Sequence, residues 1–188
     1  MRKIILNLAV TLDGFIEGPN GEIDWLSLGG GPDDSGTESH FDKFLVTIDT
    51  IFYGRISYEK WGEYQPDENA SMPEKKLWKG VHSKKKYVFS SSLKNTGTTV
   101  ELINADILSN VQKIKNQPGK DIWLYGGSGL ITTFINLGLV DRYLLAIFPI
   151  ILGKGKPLFK DIKNKVVLNN KSTTTASRVV LLDYETRR

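Results

Sequence analysis

The apolar positions of this chain come in short bursts separated by glycine-rich or polar turns. Their period switches repeatedly between that of a strand and that of a helix. Ile4 to Val10 is a continuous apolar run and predicts a buried first strand. Asp13-Gly14 and Gly18-Pro19-Asn20-Gly21 then mark a long loop, followed by a second glycine-rich stretch from Gly29 to Asp34. Phe41, Phe44, Leu45 and Ile48 fall at helical spacing, which predicts an amphipathic helix over 38–48. Thr50 to Tyr53 reads as a short strand stopped by Gly54, and Arg55 to Trp61 as a short helix. Gln65 to Lys79 is polar and reads as loop with a helical turn, and Tyr87 to Phe89 as a strand ended by three serines.

The second half repeats the alternation. Thr98 to Ile103 predicts a strand, and Asn104 can cap a helix whose apolar face is Ile107, Val111 and Ile114. Pro118-Gly119 breaks that helix. Ile122 to Tyr125 predicts a strand, and Gly126-Gly127-Ser128-Gly129 opens a helix running to Leu137. Arg142 to Ile151 reads as a long apolar strand, either core or dimer edge, followed by the Gly153 to Pro157 turn. Val166 to Leu168 and Arg178 to Tyr184 predict closing antiparallel strands, with Thr173 to Thr175 adding β-branched residues. Strands alternating with helices imply an α/β fold with a largely parallel sheet and helices on both faces. The strand-rich tail adds antiparallel strands at one edge.

Length and composition narrow this further. The 188 residues suit one domain, 1–188, with one core. There is no cysteine, which excludes disulfides, thiolate metal sites and cysteine nucleophiles and fits a reducing, cytoplasmic setting. The two histidines, His40 and His82, are too isolated for a metal site. The basic, apolar start runs into Thr11-Leu12-Asp13-Gly14 without a cleavage-like stretch, so a strand is preferred to a secretory leader. No run approaches the roughly 18 apolar residues of a membrane span. The net charge of +4 suits anionic ligands such as phosphates, or has no bearing on function. Lys84-Lys85-Lys86 reads as a solvated strand entrance or an anion contact. No basic stripe is interleaved with aromatics as nucleic-acid binding would need.

Three segments can carry chemistry. In Ile122 to Leu130 a strand ends in glycines and a helix begins. Glycine allows close backbone approach, and a helix N-terminus offers unpaired N–H groups, so the segment suits a pyrophosphate; a tight turn that binds nothing explains it equally well. It matches the dinucleotide fingerprint only partly, and no acidic residue follows about 20 residues later, which disfavours an ordinary Rossmann site. In Tyr53 to Glu59, Arg55 supplies a planar charged fork matched to a phosphate monoester, and Ser57 can cap the helix or donate to phosphate. A surface arginine and a helix cap are the plain alternative. Ser90, Ser91 and Ser92 offer three hydroxyls at a strand end, or simply a turn. Together they are three strand ends with small or anion-friendly residues, and ligands of parallel sheets sit outside the carboxyl ends of the strands.

The stretches Asn7 to Ile16, Asp49 to Glu59, Ile122 to Ile135, Gly138 to Arg142 and Pro149 to Phe159 resemble, in order and over nearly the whole chain, the dihydrofolate reductase superfamily. The nearest subgroup is the C-terminal reductase domain of the bifunctional riboflavin-biosynthesis deaminase–reductase and its stand-alone bacterial relatives. The resemblance implies a dihydrofolate-reductase-like three-layer α/β/α fold, an NADPH cofactor and a homodimer. By the same resemblance Leu8 and Ala9 edge the nicotinamide, and Asp13, Gly14 and Ile16 lie on the loop that covers it. Gly54, Arg55, Ile56 and Ser57 meet the phosphates, and Ser90, Ser91 and Ser92 lie near the adenosine ribose and its 2′-phosphate. Gly126, Gly127, Ser128, Gly129 and Leu130 hold the pyrophosphate and nicotinamide side. Glu38 or Asp42 would stand where folate enzymes place the carboxylate that anchors and protonates the pterin; an exposed charge at a helix start is the alternative. The Gly29-to-Asp34 insertion departs from the folate enzymes. The implied activity is hydride transfer from NADPH to a small heteroaromatic or carbonyl-type substrate, a pterin or a ribosylated aminopyrimidine. A non-catalytic NADP-binding module is the rival.

Overall fold

A computed structural model describes residues 1–29, 40–94 and 100–187. The chain divides into two compact units, one within Met1–Lys3 and Pro32–Gly127, the other within Ile4–Gly31 and Ser128–Arg188.

The first unit is built on β3 (Ile48–Gly54), whose Ile48, Ile51, Phe52 and Tyr53 are all buried. A strand apolar on both faces belongs in the middle of a parallel sheet. It is flanked by β4 (Lys85–Phe89) and β6 (Asp121–Gly126), both parallel to it, with β5 (Val100–Ile103) parallel beyond β4. The order is β5-β4-β3-β6. The helix α1 (His40–Thr47) buries Phe44 and Leu45, and Phe41 and Phe44 meet Trp123 of β6 edge-on at 5.2 and 5.5 Å. Arg2 is buried in this unit. It donates to the Asp49 carboxylate, to the Lys120 carbonyl and to Thr50 Oγ1, the last at 2.6 Å, so the charge is paired and hydrogen-bonded as burial requires.

Several expectations shift here. Ile48, the expected end of α1, is the first residue of β3. The helix after β3 is a single turn, α2 (Arg55–Ser57), continued by a wider turn with i→i+5 bonding over Tyr58–Gly62. The segment read as loop with a helical turn holds most of a longer, 11-residue helix, α3 (Met72–His82). Ser71 caps it by accepting from the Glu74 N–H at 3.3 Å, and a proline opens its first turn. Only Val81 of α3 is buried, so its apolar stripe is too thin to announce a helix. The helix α4 (Ile107–Lys115) is capped by Asp106, which accepts from the Ser109 N–H, and not by Asn104. Lys86, inside the lysine run, is buried and donates to the Gly62 carbonyl at 2.6 Å, while Lys85 pairs with Glu101.

The second unit places β1 (Ile4–Thr11) parallel to β7 (Arg142–Phe148), then β10 (Val179–Thr186) and β9 (Leu168–Ala176), each antiparallel to its neighbour. The order is β1-β7-β10-β9. The helix α5 (Ser128–Asn136) buries Leu130, Ile131, Phe134 and Ile135. The strand expected to reach Ile151 stops at Phe148, because Pro149 has no N–H to continue the ladder. The closing hairpin is longer than expected and absorbs Thr173 to Thr175. A small antiparallel pair joins β2 (Phe15–Glu17) to β8 (Lys156–Pro157). Among the described residues the antiparallel pairs β7–β10, β10–β9 and β2–β8 lie in this unit, and β1–β7, β3–β4, β3–β6 and β4–β5 are parallel, in keeping with the expected mixed, mostly parallel α/β class. Among the described residues no helix is long and apolar enough to cross a membrane.

Candidate functional site

Within the first unit the three expected strand ends do lie side by side. Gly54 of β3 is in register with Phe89 of β4, the residue before Ser90, and Tyr53 is in register with Gly126 of β6. The carboxyl end of this parallel sheet therefore carries Gly54-Arg55, Ser90 to Ser92 and Gly126-Gly127 as neighbours.

The backbone at that edge is kept bare by glycine. Gly126 has φ +111°, a conformation that disfavours side chains, and its peptide bond to Gly127 is cis. A Cβ placed on Gly127 would sit 3.1 Å from Ser57 Oγ, so any side chain there crowds the turn after β3. Ser57 does not cap a helix by its side chain, contrary to the simpler of its two expected roles. Ile56 is half exposed.

Arg55 is exposed and ion-paired. Its Nη1 donates to both oxygens of Glu59, at 2.9 and 2.8 Å, one helical turn on. The three serines differ in role. Ser90 Oγ accepts from the Ser92 and Leu93 N–H groups, so it shapes the turn; Ser91 and Ser92 are exposed.

Two aromatic groups of this unit were not anticipated. Tyr53 is fully buried, stacked at a tilt on Tyr125 (4.7 Å between ring centres) and edge-on to Tyr58 (6.0 Å). Its hydroxyl has no hydrogen-bond partner among the described residues. Burial, and then the neighbouring Tyr125 and Glu63, push its ionisation far up, so it stays a neutral phenol. Tyr58 is pushed up to about 12, chiefly by burial and then by its 2.8 Å bond to Glu63.

The acidic candidates separate. Glu38 lies outside the described residues. Asp42 is in the first turn of α1, partly buried, with Lys76 at 3.9 Å.

In the second unit, Leu8 and Ala9 are half-buried on β1, in register with Leu145 and Ala146 of β7. The loop after β1 is fixed by its own bonds. Asp13 accepts from Thr11 Oγ1 (2.6 Å), the Leu152 N–H (3.2 Å) and the Gly153 N–H (2.7 Å). The Thr11 hydroxyl, with Gly153 and Leu152, holds its carboxyl below the usual range against a smaller opposing effect of burial. Gly14 has φ +88° and its carbonyl accepts from the Leu158 N–H at 2.8 Å. Ile16 is buried on β2. Trp25 is buried edge-on to Phe148 at 5.2 Å, and its indole N–H has no partner among the described residues. Ser128, Gly129 and Leu130 form the first turn of α5. A Cβ on Gly129 would meet nothing within 4 Å, so that glycine leaves open space.

Comparison with known proteins adds the family context. Residues 2–182 match the sequence model of the RibD C-terminal domain family. The chain is 54% identical, over 97% of its length and 94% of the other's, to protein YyaP of Bacillus subtilis (strain 168). Among solved structures it is similar to a putative riboflavin biosynthesis protein from Shewanella sp. PV-4, with a TM-score of 0.81, 21% identity and full coverage of both chains. It is also similar to dihydrofolate reductase from Enterococcus faecalis complexed with NADP(H), with a TM-score of 0.58 and 15% identity over 99% of this chain and 97% of that one. At such identities the two structures establish the fold, a dihydrofolate-reductase-like α/β architecture.

Proposed function

This chain belongs to the RibD C-terminal domain family, as its sequence resemblance implied, and from that premise we propose that it is an NADPH-dependent reductase acting on a small heteroaromatic or carbonyl-type substrate. The observation that carries the proposal is the register that sets Gly54-Arg55, Ser90 to Ser92 and Gly126-Gly127 side by side at one sheet end. The donor set fits a dinucleotide phosphate. Arg55 brings a permanent charge in a planar fork, Ser57 and Ser91 bring hydroxyls, and the cradle at Gly127 is one that a Cβ would close against Ser57.

NADPH would supply the hydride; the chain's part is to bind, orient and exclude water. Gly126 and Gly127 let the backbone approach the pyrophosphate, and Arg55 with Ser57 and Ser91 holds phosphate oxygens. The resemblance assigns the nicotinamide to Leu8, Ala9, Gly14 and Ile16 of the second unit. Asp13, whose two oxygens are both occupied by the protein, acts by fixing its loop. Asp42 is the described carboxylate that would hold a proton for the substrate, partly buried on α1. Its replacement by Asn should lower turnover and leave NADPH affinity intact.

The test is a tryptophan-fluorescence titration with NADPH and, in parallel, NADH, followed by a substrate screen that begins with dihydrofolate. Tighter binding of NADPH is expected; binding of neither removes the cofactor and with it the reductase reading.

A further inference from the structure

The arginine at the end of β3 is not presented bare. Its Nη1 is taken by both oxygens of Glu59, while Nε and Nη2 have no partner among the described residues. The pairing therefore grips the guanidinium by one corner and leaves its other edge, the one that can take two phosphate oxygens at once, without a protein acceptor. We propose that Glu59 is a specificity residue, which limits the preference for NADPH over NADH that Arg55 creates. This rests on the NADPH reading above, with the 2′-phosphate monoester seated on Arg55 beside Ser91.

The argument is one of charge. A phosphate seated on the open edge of Arg55 shares that guanidinium with a carboxylate. A 2′-phosphate monoester carries between one and two negative charges near neutral pH, and NADH has no such group. The repulsion from Glu59 is thus felt by NADPH and hardly by NADH. Its size is limited by solvent: the Arg55 and Glu59 side chains are 42% and 44% exposed, so the interaction is screened and moderate. Glu59 also holds the arginine in place, and a carboxamide separates the two roles. Gln keeps an oxygen that can accept from Nη1 but removes the charge.

The experiment measures the affinity of wild-type and Glu59→Gln protein for NADPH and NADH by the same titration, at low and at about 1 M salt. The variant should bind NADPH about three- to tenfold more tightly at low salt, with NADH unchanged, and the gain should vanish at high salt, where charges are screened within about 3 Å. NADPH affinity that is unchanged or weaker in the variant overturns the proposal and leaves Glu59 as a positioning residue or a bystander. Equal gains for both dinucleotides also overturn it, because the charge would then act on the shared pyrophosphate. Wild-type protein that binds neither dinucleotide sinks the reductase reading and this inference together, an outcome distinct from the other two.

Discussion

The Asp13 carboxylate accepts a hydrogen bond from the Gly153 amide at 2.7 Å across 140 residues of sequence, and from Leu152 beside it. One side chain thus ties the loop after β1 to the loop after β7. The bonds favour the ionised carboxylate, which lies below its ordinary value of 3.8. The tie is therefore complete above that value and is lost as pH falls through the lowered one. The protection factors of the Leu152 and Gly153 amides, taken against their intrinsic exchange rates, should fall in acid. Asp13→Asn should produce the same loss of protection at neutral pH, since its amide would turn a donor toward the Gly153 N–H if the oxygen stays with Thr11. Unchanged protection in the variant would remove Asp13 from this role.

Arg55→Ala should weaken NADPH by about ten- to a hundredfold, the size of losing charge-assisted bonds worth about 1.5–3 kcal/mol. NADH should be much less affected, because it lacks the 2′-phosphate. Equal losses for both would move the 2′-phosphate away from Arg55. Isothermal titration of each dinucleotide decides it.

Gly127→Val should abolish dinucleotide binding while the chain keeps its far-UV circular dichroism. The first added carbon already stands 3.1 Å from Ser57 Oγ, and the branched methyls fill the bare backbone at the sheet end. Retained NADPH affinity in a folded variant would place the pyrophosphate elsewhere.

Tyr53→Phe removes a buried hydroxyl that has no partner among the described residues. A buried unsatisfied polar group costs about 1–3 kcal/mol, so the variant should be as stable as the parent or more so. For a chain of this length each kcal/mol corresponds to about 2–4 °C in Tm. A clear fall in Tm would show that the hydroxyl has a partner in solution, such as a bound water.

Much of this was readable from the chain because it is written locally. An apolar run such as Ile4 to Val10, or a strand that stops at Gly54 or Gly126, announces itself within a few residues, and three such stops were enough to expect one ligand-facing edge. Features that depend on distant partners were not readable. Asp13 belongs to the loop expected to cover a nicotinamide, yet nothing near it in sequence announces Leu152 and Gly153. Tyr53 looked like any strand aromatic, and only three-dimensional packing leaves its hydroxyl alone. Other departures from expectation do have local signals. Ser71 and Glu74 have the spacing of a capping box ahead of α3, and Asp106 stands directly before Ile107. Arg55 and Glu59 are four apart, the spacing at which a helical turn pairs opposite charges.

The register of β3 between β4 and β6 bears on how the chain folds. Thr50 can meet Lys85 and Ile122 only after long intervening segments have closed, and such non-local parallel pairing is the slow kind. Gly126 comes beside Tyr53 only when the farther closure is made. The three turns proposed to hold phosphate are thus not together in any partly folded chain in which β6 has yet to dock. A ligand that needs those turns together would act on the refolding reaction as a trap for its last step, withdrawing finished molecules from the pool that can still unfold or aggregate.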